Sequence, residues 1–501
     1  MTTELATPAE TSPVREYGHH IAGDTVGTAT LDRFEPARHR LVARFAEADR
    51  EQVDYAARAA SAAFHSRAWQ RAVATTRAEL LERLACLLED NADRLAALDS
   101  QEVGKPLRFA SGDMSLGIAH VRQAAALART SRGEALTSIA AHYTAIATRE
   151  PVGVAALIIP WNFPAQILLQ KLPYALAAGC TVVIKPSEYT SSTAIEIARL
   201  ADEAGFPRGA VNVVTGRGAT TGTALVSHPL ISYVSFTGSS GAGRAVQRAA
   251  GDAPTRVGLE LGGNTANVVF ADADIEEAAE SIVFGAFANQ GESCVAGRRL
   301  IVDTRIADVL VEQITALSLR LAVGDPAHER TDLGPLIHTD HRDRVHQLVT
   351  TGLHHGATPV LGARLPIDGN LTLGAYYEPT ILTHVSPESP LFHQETFGPV
   401  LAVTTFSDPD EAAQLANATP YGLAHSLWTT DLNRAFDVAQ RLEAGTVWIN
   451  TTSDGSPALA FGGVKGSGYG REAGAEGLEE FTYYKTVQIR GERRPSPFSG
   501  R

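Results

Sequence analysis

The chain has 501 residues, 44% of them hydrophobic and 20% charged, with a formal net charge of −13. That length exceeds what one hydrophobic core supports and predicts two or three domains. The acidic balance, with no basic patch to offset it, excludes a nucleic-acid or anionic-membrane partner and leaves small diffusible ligands.

The first twenty residues lack the basic and apolar regions of a secretory signal. Three cysteines without a CxxC pair predict neither a disulfide framework nor a metal site, as in a reducing cytoplasm. Residues 1–50 are polar and end in a strand-like patch, Arg40 to Phe45. Residues 50–130 are rich in Ala and Leu with helical spacing: Leu81, Leu84 and Leu88 share a face beside Leu80 and Leu87. A break at Gly104-Lys105-Pro106 predicts at least two helices.

Glu134 to Arg149 reads as an isolated pair of strands. The longest uncharged apolar stretch, Pro151 to Gln170, is interrupted by Pro160, Asn162 and Pro164, so it predicts a buried strand and a turn rather than a membrane span. Short apolar runs then recur at Val154 to Ile159, Thr181 to Ile184, Val211 to Val214 and Tyr233 to Phe236. A helix runs from Ser191 to Gly205, with Ser as its expected start signal. This alternation predicts a parallel sheet of the nucleotide-binding kind. A second alternating region, with strands at Asn267 to Phe270, Arg299 to Val302, Val400 to Phe406 and Thr446 to Ile449, predicts a second α/β domain. The basic, Pro- and Ser-rich tail from Gly491 to Arg501 is expected to be disordered.

Chemistry concentrates between residues 259 and 299. Cys294 lies in a run of small and polar residues, Asn289 to Gly297, where glycines let a substrate approach the backbone; Cys86 and Cys180 sit among Leu and Ala and read as inert packing. Glu260, enclosed by Val257-Gly258-Leu259 and Leu261-Gly262-Gly263, is a lone carboxylate whose burial would raise its pKa towards that of a general base. Asn162, within Pro160-Trp161-Asn162-Phe163-Pro164 at the end of a strand, can donate to an oxyanion or simply fix the turn. Lys185-Pro186-Ser187-Glu188 follows the next strand and can reach ribose hydroxyls or form a solvated pair. Phe236 to Gly243 is a Gly-rich turn entering a helix, a place for a pyrophosphate.

Glu260-Leu261-Gly262-Gly263 followed by Gln290-Gly291-Glu292-Ser293-Cys294 resembles the two active-site signatures of the aldehyde dehydrogenase superfamily. The resemblance spans about residues 30–490 and carries six motifs in the family's order. It implies a Rossmann-type parallel-sheet cofactor domain (1–130 and 150–260), an α/β catalytic domain (261–465) and a small bridging β-sheet for oligomerisation (131–149 and 475–495). It also implies the hydrolytic, NAD(P)-dependent oxidation of an aldehyde to an acid. Cys294 would be the nucleophile, Glu260 the base for water, and Asn162 with the Cys294 amide the oxyanion hole. Lys171 and Glu472 stand where some members relay a proton. NAD, with NADP as an alternative, would be held by Pro160, Trp161, Lys185, Ser187, Glu188, Gly218, Phe236, Gly238, Ser239, Gly243, Leu261, Glu395 and Phe397. The carboxylate of Glu188 favours NAD by repelling a 2′-phosphate. No metal is implied, and the expected partner besides the aldehyde is a second copy, as a homodimer or homotetramer in the cytoplasm.

Asn450 and the run from Phe461 to Glu472 resemble the loop that closes the family's substrate tunnel, with Ala460 in place of the usual Pro. Asn264 replaces a frequent Lys and Gln170 a frequent aromatic, which predicts a more polar tunnel. Thr451, Thr452, Ser453 and Asp454 are expected at its mouth, suiting a polar or aromatic aldehyde, with Asp454 either attracting a cationic amino-aldehyde or facing solvent. Two alternatives follow from the same fold: a CoA-acylating semialdehyde dehydrogenase, which the presence of Glu260 disfavours, and a catalytically silent binding member.

Overall fold

The structure, a computed structural model, describes residues 13–140, 142–251, 254–367, 369–492 and 498. Most of the tail expected to be disordered, and the first twelve residues, lie outside these.

The Val- and Ile-rich runs form the interior of an eight-stranded sheet. Its order is Gly468–Tyr469, Arg256–Glu260, Ile231–Thr237, Val154–Ile158, Thr181–Lys185, Val211–Val213, His19–Ile21, Asp24–Val26. The five strands from Arg256–Glu260 to Val211–Val213 are parallel. Val182, Val183 and Ile184 are wholly buried, as a sheet covered by helices on both faces requires; each such side chain contributes roughly 1.5–3 kcal/mol. The register decides where chemistry can happen. Ile158 pairs with Phe236 and Lys185, and Thr237 pairs with Glu260, so the ends of four strands lie along one carboxyl edge.

A seven-stranded sheet follows: Thr358–Leu361, Thr380–Thr383, Val400–Phe406, Arg299–Asp303, Ala266–Val269, Ala424–Trp428, Thr446–Ile449. All but its first strand run parallel. Glu134–Ala140, Tyr143–Pro151 and Thr482–Arg490 form a separate antiparallel sheet.

Between residues 50 and 130 the chain forms Arg50–His65, Arg67–Gln70, Ala74–Asp90, Ala92–Val103 and Leu107–Thr130, with Leu80, Leu81, Leu84 and Leu88 buried as their spacing predicts. Gly104, at φ 91°, ends Ala92–Val103 in the left-handed conformation that glycine adopts without steric cost.

Three local expectations are corrected. The described residues 13–50 hold five strands rather than one patch, including Arg15–Tyr17 and Ala29–Phe34; they are short and carry polar residues throughout, so no apolar run betrays them. Cys86 is exposed, because it falls on the outer side of Ala74–Asp90. Ser191 does not cap the helix Ser192–Glu203; its hydroxyl donates to the Ser187 carbonyl. The helix start is instead held by carboxylates of Ala92–Val103: Glu102 accepts from the Ser192 amide at 3.3 Å and Asp99 from the Thr193 hydroxyl at 2.5 Å. Asp99 also accepts from the Ala165 amide at 3.1 Å, at the start of the helix that follows Asn162.

Candidate active site

Two segments remote in sequence meet at the first sheet's carboxyl edge. The loop after Ile158 carries Asn162, 4% exposed, whose Nδ2 donates to the Glu292 carbonyl at 2.9 Å. Asn289 donates in return to the Asn162 carbonyl at 3.1 Å. The loop that leads to Cys294 is bent by three consecutive left-handed residues: Asn289 at φ 51°, Gln290 at 56° and Gly291 at 69°. Two non-glycine residues there cost about 1–3 kcal/mol each and persist only where neighbours hold them. Here Arg298, fully buried, donates to the carbonyls of Gly263 at 3.2 Å, Gly291 at 3.1 Å and Ser293.

The glycines of this region serve a different purpose from the expected approach of substrate. A Cβ on Gly263 would collide with the Cys294 carbonyl, and one on Gly291 with the Gly398 carbonyl. They let backbone pack on backbone.

Cys294 stands where two cavities of about 880 and 840 Å³ meet; Ile167, Thr237, Leu261 and Cys294 line both. Burial pushes its thiol up to about 12, with Glu395 and Glu260 adding to the shift and Arg298 opposing it. The thiol is therefore protonated at rest and needs a base.

Glu260 lines the larger cavity from the end of its strand, 4% exposed, and neither carboxylate oxygen has a hydrogen-bond partner. Burial, reinforced by Glu472, raises its pKa well above the usual carboxylate range, against Lys171, Arg471 and the Gly463 backbone. Lys171 and Glu472, 301 residues apart, are ion-paired; Lys171 Nζ also bonds Ser235 Oγ at 2.9 Å, and the Thr237 hydroxyl donates to Glu472 at 3.3 Å. Sequence-adjacent expectations for the tunnel hold in part: Gln170, Ser453, Asp454, Ala460, Phe461 and Glu472 line this cavity. Asn450, Thr451 and Thr452 do not. Asn450 is fixed to the Thr429 backbone and Thr452 bonds Ser426. The cavity is also more aromatic than expected, with Phe109, Phe163, Phe284 and Trp448 on its walls.

The smaller cavity is lined by Pro160, Trp161, Asn162, Gly238, Ser239, Leu261, Glu395 and Phe397. Its form fits a dinucleotide. Ser239 caps Ser240–Ala250 through the Ala242 amide, Ser240 Oγ is buried without a partner, and a helix N-terminus of this kind receives phosphate. Trp161 and Phe397 meet edge to face with ring centroids 5.4 Å apart. Glu395 accepts from the Gly263 amide at 3.1 Å and lies 3.6 Å from Arg298.

Lys185, Ser187, Glu188, Gly218, Phe236 and Gly243 do not line this cavity. Lys185 is buried, bonds the Pro186 carbonyl at 2.7 Å and lies 3.9 Å from Glu188; Tyr189 is the cavity's contact from that strand end. Phe236 packs under Gly238, where a Cβ would lie 2.6 Å from its ring, and a Cβ on Gly243 would strike Leu261. Gly218 opens a π-helical turn with free space around it.

Sequence reasoning missed the opposite wall of the smaller cavity, His338, His341 and Arg344 at and within Thr339–His354, because a polar helix carries no motif. It also missed Arg298 and the buried Glu292, whose carboxylate accepts from the Ile337 amide at 2.9 Å and ties that wall to the Cys294 loop. A pair of arginines entering a strand, Arg298 and Arg299, was the one available signal.

The electrostatics yield a test. A negative charge beside a thiolate disfavours it, so Glu395→Gln lowers the Cys294 pKa and enlarges its thiolate fraction. Iodoacetamide labelling of the Cys294 peptide at pH 8 in cofactor-free protein should be several-fold faster in that variant, about three- to fourfold per unit the pKa falls, because the tenfold gain in thiolate is partly offset by its lower nucleophilicity. Mass spectrometry separates this peptide from the exposed Cys86, and an unchanged or slower rate contradicts the assignment.

The sequence model of the aldehyde dehydrogenase family matches residues 23–487. A (Z)-2-((N-methylformamido)methylene)-5-hydroxybutyrolactone dehydrogenase from Acinetobacter baylyi is 39% identical over 471 residues, covering 94% of this chain and 96% of the relative. The NADP/NAD-dependent aldehyde dehydrogenase PuuC of Escherichia coli is 40% identical over 476 residues, covering 94% of each. Among solved structures, an NAD-dependent aldehyde dehydrogenase from Sinorhizobium meliloti superposes with a TM-score of 0.94 at 39% identity, covering 98% of each chain. A betaine aldehyde dehydrogenase from Staphylococcus aureus in complex with NAD+ also gives a TM-score of 0.94, at 33% identity and 97% coverage of each. The chain belongs to the aldehyde dehydrogenase family, and it is an NAD(P)-dependent enzyme that oxidises an aldehyde to a carboxylic acid.

Proposed function

We propose that Cys294 performs this oxidation through a thioester that Glu260 hydrolyses, with the aldehyde in the larger cavity and the dinucleotide in the smaller. The observation that carries the reading is Cys294 at the junction of the two, with an unpartnered carboxylate on the aldehyde side. Glu260 takes the thiol proton, and Sγ adds to the carbonyl carbon. The developing oxyanion accepts from the Cys294 amide and from the second N–H of Asn162, whose first is spent on Glu292; one such donor is worth roughly 3 kcal/mol in the transition state. NAD, held by Trp161, Gly238, Ser239, Glu395 and Phe397, supplies the hydride acceptor. Once Glu260 has given up the thiol proton, it takes a proton from water as the water oxygen adds to the thioester carbon; the carbon–sulfur bond breaks, the acid leaves and Glu260 returns the proton to the sulfur. Glu472 and Lys171 carry the surplus proton away from Glu260.

Hydrolysis rather than acyl transfer follows from a base that faces the substrate cavity. Turnover should proceed to free acid without CoA, and an absolute requirement for CoA contradicts this. Glu188, half-exposed near the first sheet's edge, supports a preference for NAD over NADP; equal kcat/KM for both argues against it.

The two large sheets serve as cofactor and catalytic domains in this reading. The small sheet exposes Ile139, Tyr484 and Ile489, each more than half exposed, beside the partly exposed Val487, which supports pairing with a second copy as a dimer or tetramer; a monomeric mass in sedimentation contradicts it. Three unpaired cysteines support a cytoplasmic location, which cell fractionation checks. No helix among the described residues is long and apolar enough to cross a membrane.

A further inference from the structure

The helix Leu107–Thr130 presents Phe109, Asp113, Leu116 and His120 to the larger cavity, the spacing of one helical face. His120 is 5% exposed, and its Nδ1 lies 3.1 Å from the Tyr174 hydroxyl. That hydroxyl also lies 3.1 Å from the Pro457 carbonyl.

The protons in this chain can be placed. Two oxygens at that separation repel unless a proton stands between them, and the carbonyl has none. The Tyr174 proton therefore goes to Pro457, and burial, which raises the tyrosine pKa, keeps it on the hydroxyl. Tyr174 then has only lone pairs to offer His120, so His120 Nδ1 carries the imidazole proton. Burial lowers the imidazole pKa to about 4, so the ring is neutral and Nε2 is a bare acceptor. Nε2 has no partner among the described residues and is open to the cavity that His120 lines.

The neighbouring charge decides what kind of donor suits it. Asp113, on the same face, is ion-paired with the buried Lys105, whose Nζ stands 3.8 Å over the Phe163 ring. This acid is already compensated and does not call for a cationic substrate. Phe109, Phe163, Phe284 and Trp448 give the cavity aromatic walls suited to a ring.

We propose that His120 is a specificity-determining residue, and that the preferred substrate is an aromatic aldehyde with a hydroxyl group that donates to His120 Nε2. The proposal rests on the reading of this cavity as the aldehyde site.

The test compares kcat/KM with NAD for para- and meta-(hydroxymethyl)benzaldehyde, the matching ethylbenzaldehydes, which keep the size but lack the donor, and para-(aminomethyl)benzaldehyde. The wild-type enzyme should favour the better hydroxymethyl isomer over its ethyl counterpart by roughly tenfold, the scale of one hydrogen bond with a neutral acceptor. In His120→Phe that ratio should fall to about one, while His120→Gln, which keeps an acceptor, retains part of it. Thermal melting checks the fold of each variant; if His120→Phe does not fold, the wild-type ratio and its decline in His120→Gln decide. A wild-type ratio near one, an unchanged ratio in the variants, or a preference for the cationic aldehyde overturns the role of His120 and leaves the aldehyde site standing. Failure to oxidise any of these aldehydes while an aliphatic aldehyde turns over likewise overturns only the aromatic substrate class; turnover of every aldehyde unaffected by substitutions at Phe284 and Trp448 overturns the aldehyde site itself.

Discussion

Cys294→Ala abolishes NADH formation from every aldehyde, a loss of about 10⁴–10⁶-fold on the scale seen when a covalent nucleophile is removed. The argument is geometric. Cys294 is the only cysteine at the junction of the two cavities; Cys180 is wholly buried, with its thiol donating to the Phe481 carbonyl at 3.3 Å, and Cys86 lies on an outer helix face. No neighbouring side chain can substitute: Ser293 lines only the larger cavity, and Thr237, which lines both, donates to Glu472. The substitution removes one sulfur at a half-buried site, so folding and dinucleotide binding should survive. Quenching of Trp161 fluorescence by NAD checks this. Residual turnover above a few per cent in a folded, NAD-binding variant contradicts the assignment.

Glu260→Gln separates the two halves of the reaction. The amide matches the carboxylate in shape but cannot take a proton, so thioester hydrolysis slows and kcat falls by about 10²–10⁴-fold, the range for loss of a general base. The same change removes the acceptor of the thiol proton but also a negative charge that holds the Cys294 pKa up, and this offset leaves thioester formation slowed less than hydrolysis. Rapid mixing should then show a burst of NADH of about one per active site before a slow steady state, the kinetic mark of an accumulating acyl-enzyme. Equal slowing of burst and steady state would place Glu260 in the first step alone.

The legible and illegible parts of the site differ in how far their meaning is local. Asn162, Glu260 and Cys294 are each held in a short run whose neighbours are themselves constrained: Gly263 must admit the Cys294 carbonyl, and Gly291 must turn in the left-handed region. Such runs leave a pattern. Glu292 and His341 act on segments far away in sequence, and Arg298 ties Gly263 to its own loop; beyond the Arg298-Arg299 pair, nothing beside them in the chain reports it. His120 is the extreme case, because its acceptor character depends on a proton fixed by Tyr174 and Pro457. The parallel strands were readable from apolar runs covered on both faces. The N-terminal strands, rich in polar residues and only three to six residues long, were not. Capping failed as a signal at Ser191 because Glu102, on another helix, accepts from the Ser192 amide, while Asp99 holds the Thr193 hydroxyl.

The most direct measurement is the mass of the peptide that contains Cys294 after Glu260→Gln is mixed with an aldehyde and NAD and quenched in acid. A mass gain equal to the acyl group, labile to hydroxylamine and absent without NAD, is the predicted result. An unmodified peptide from enzyme that has already released NADH and acid would contradict a route through a thioester on this sulfur.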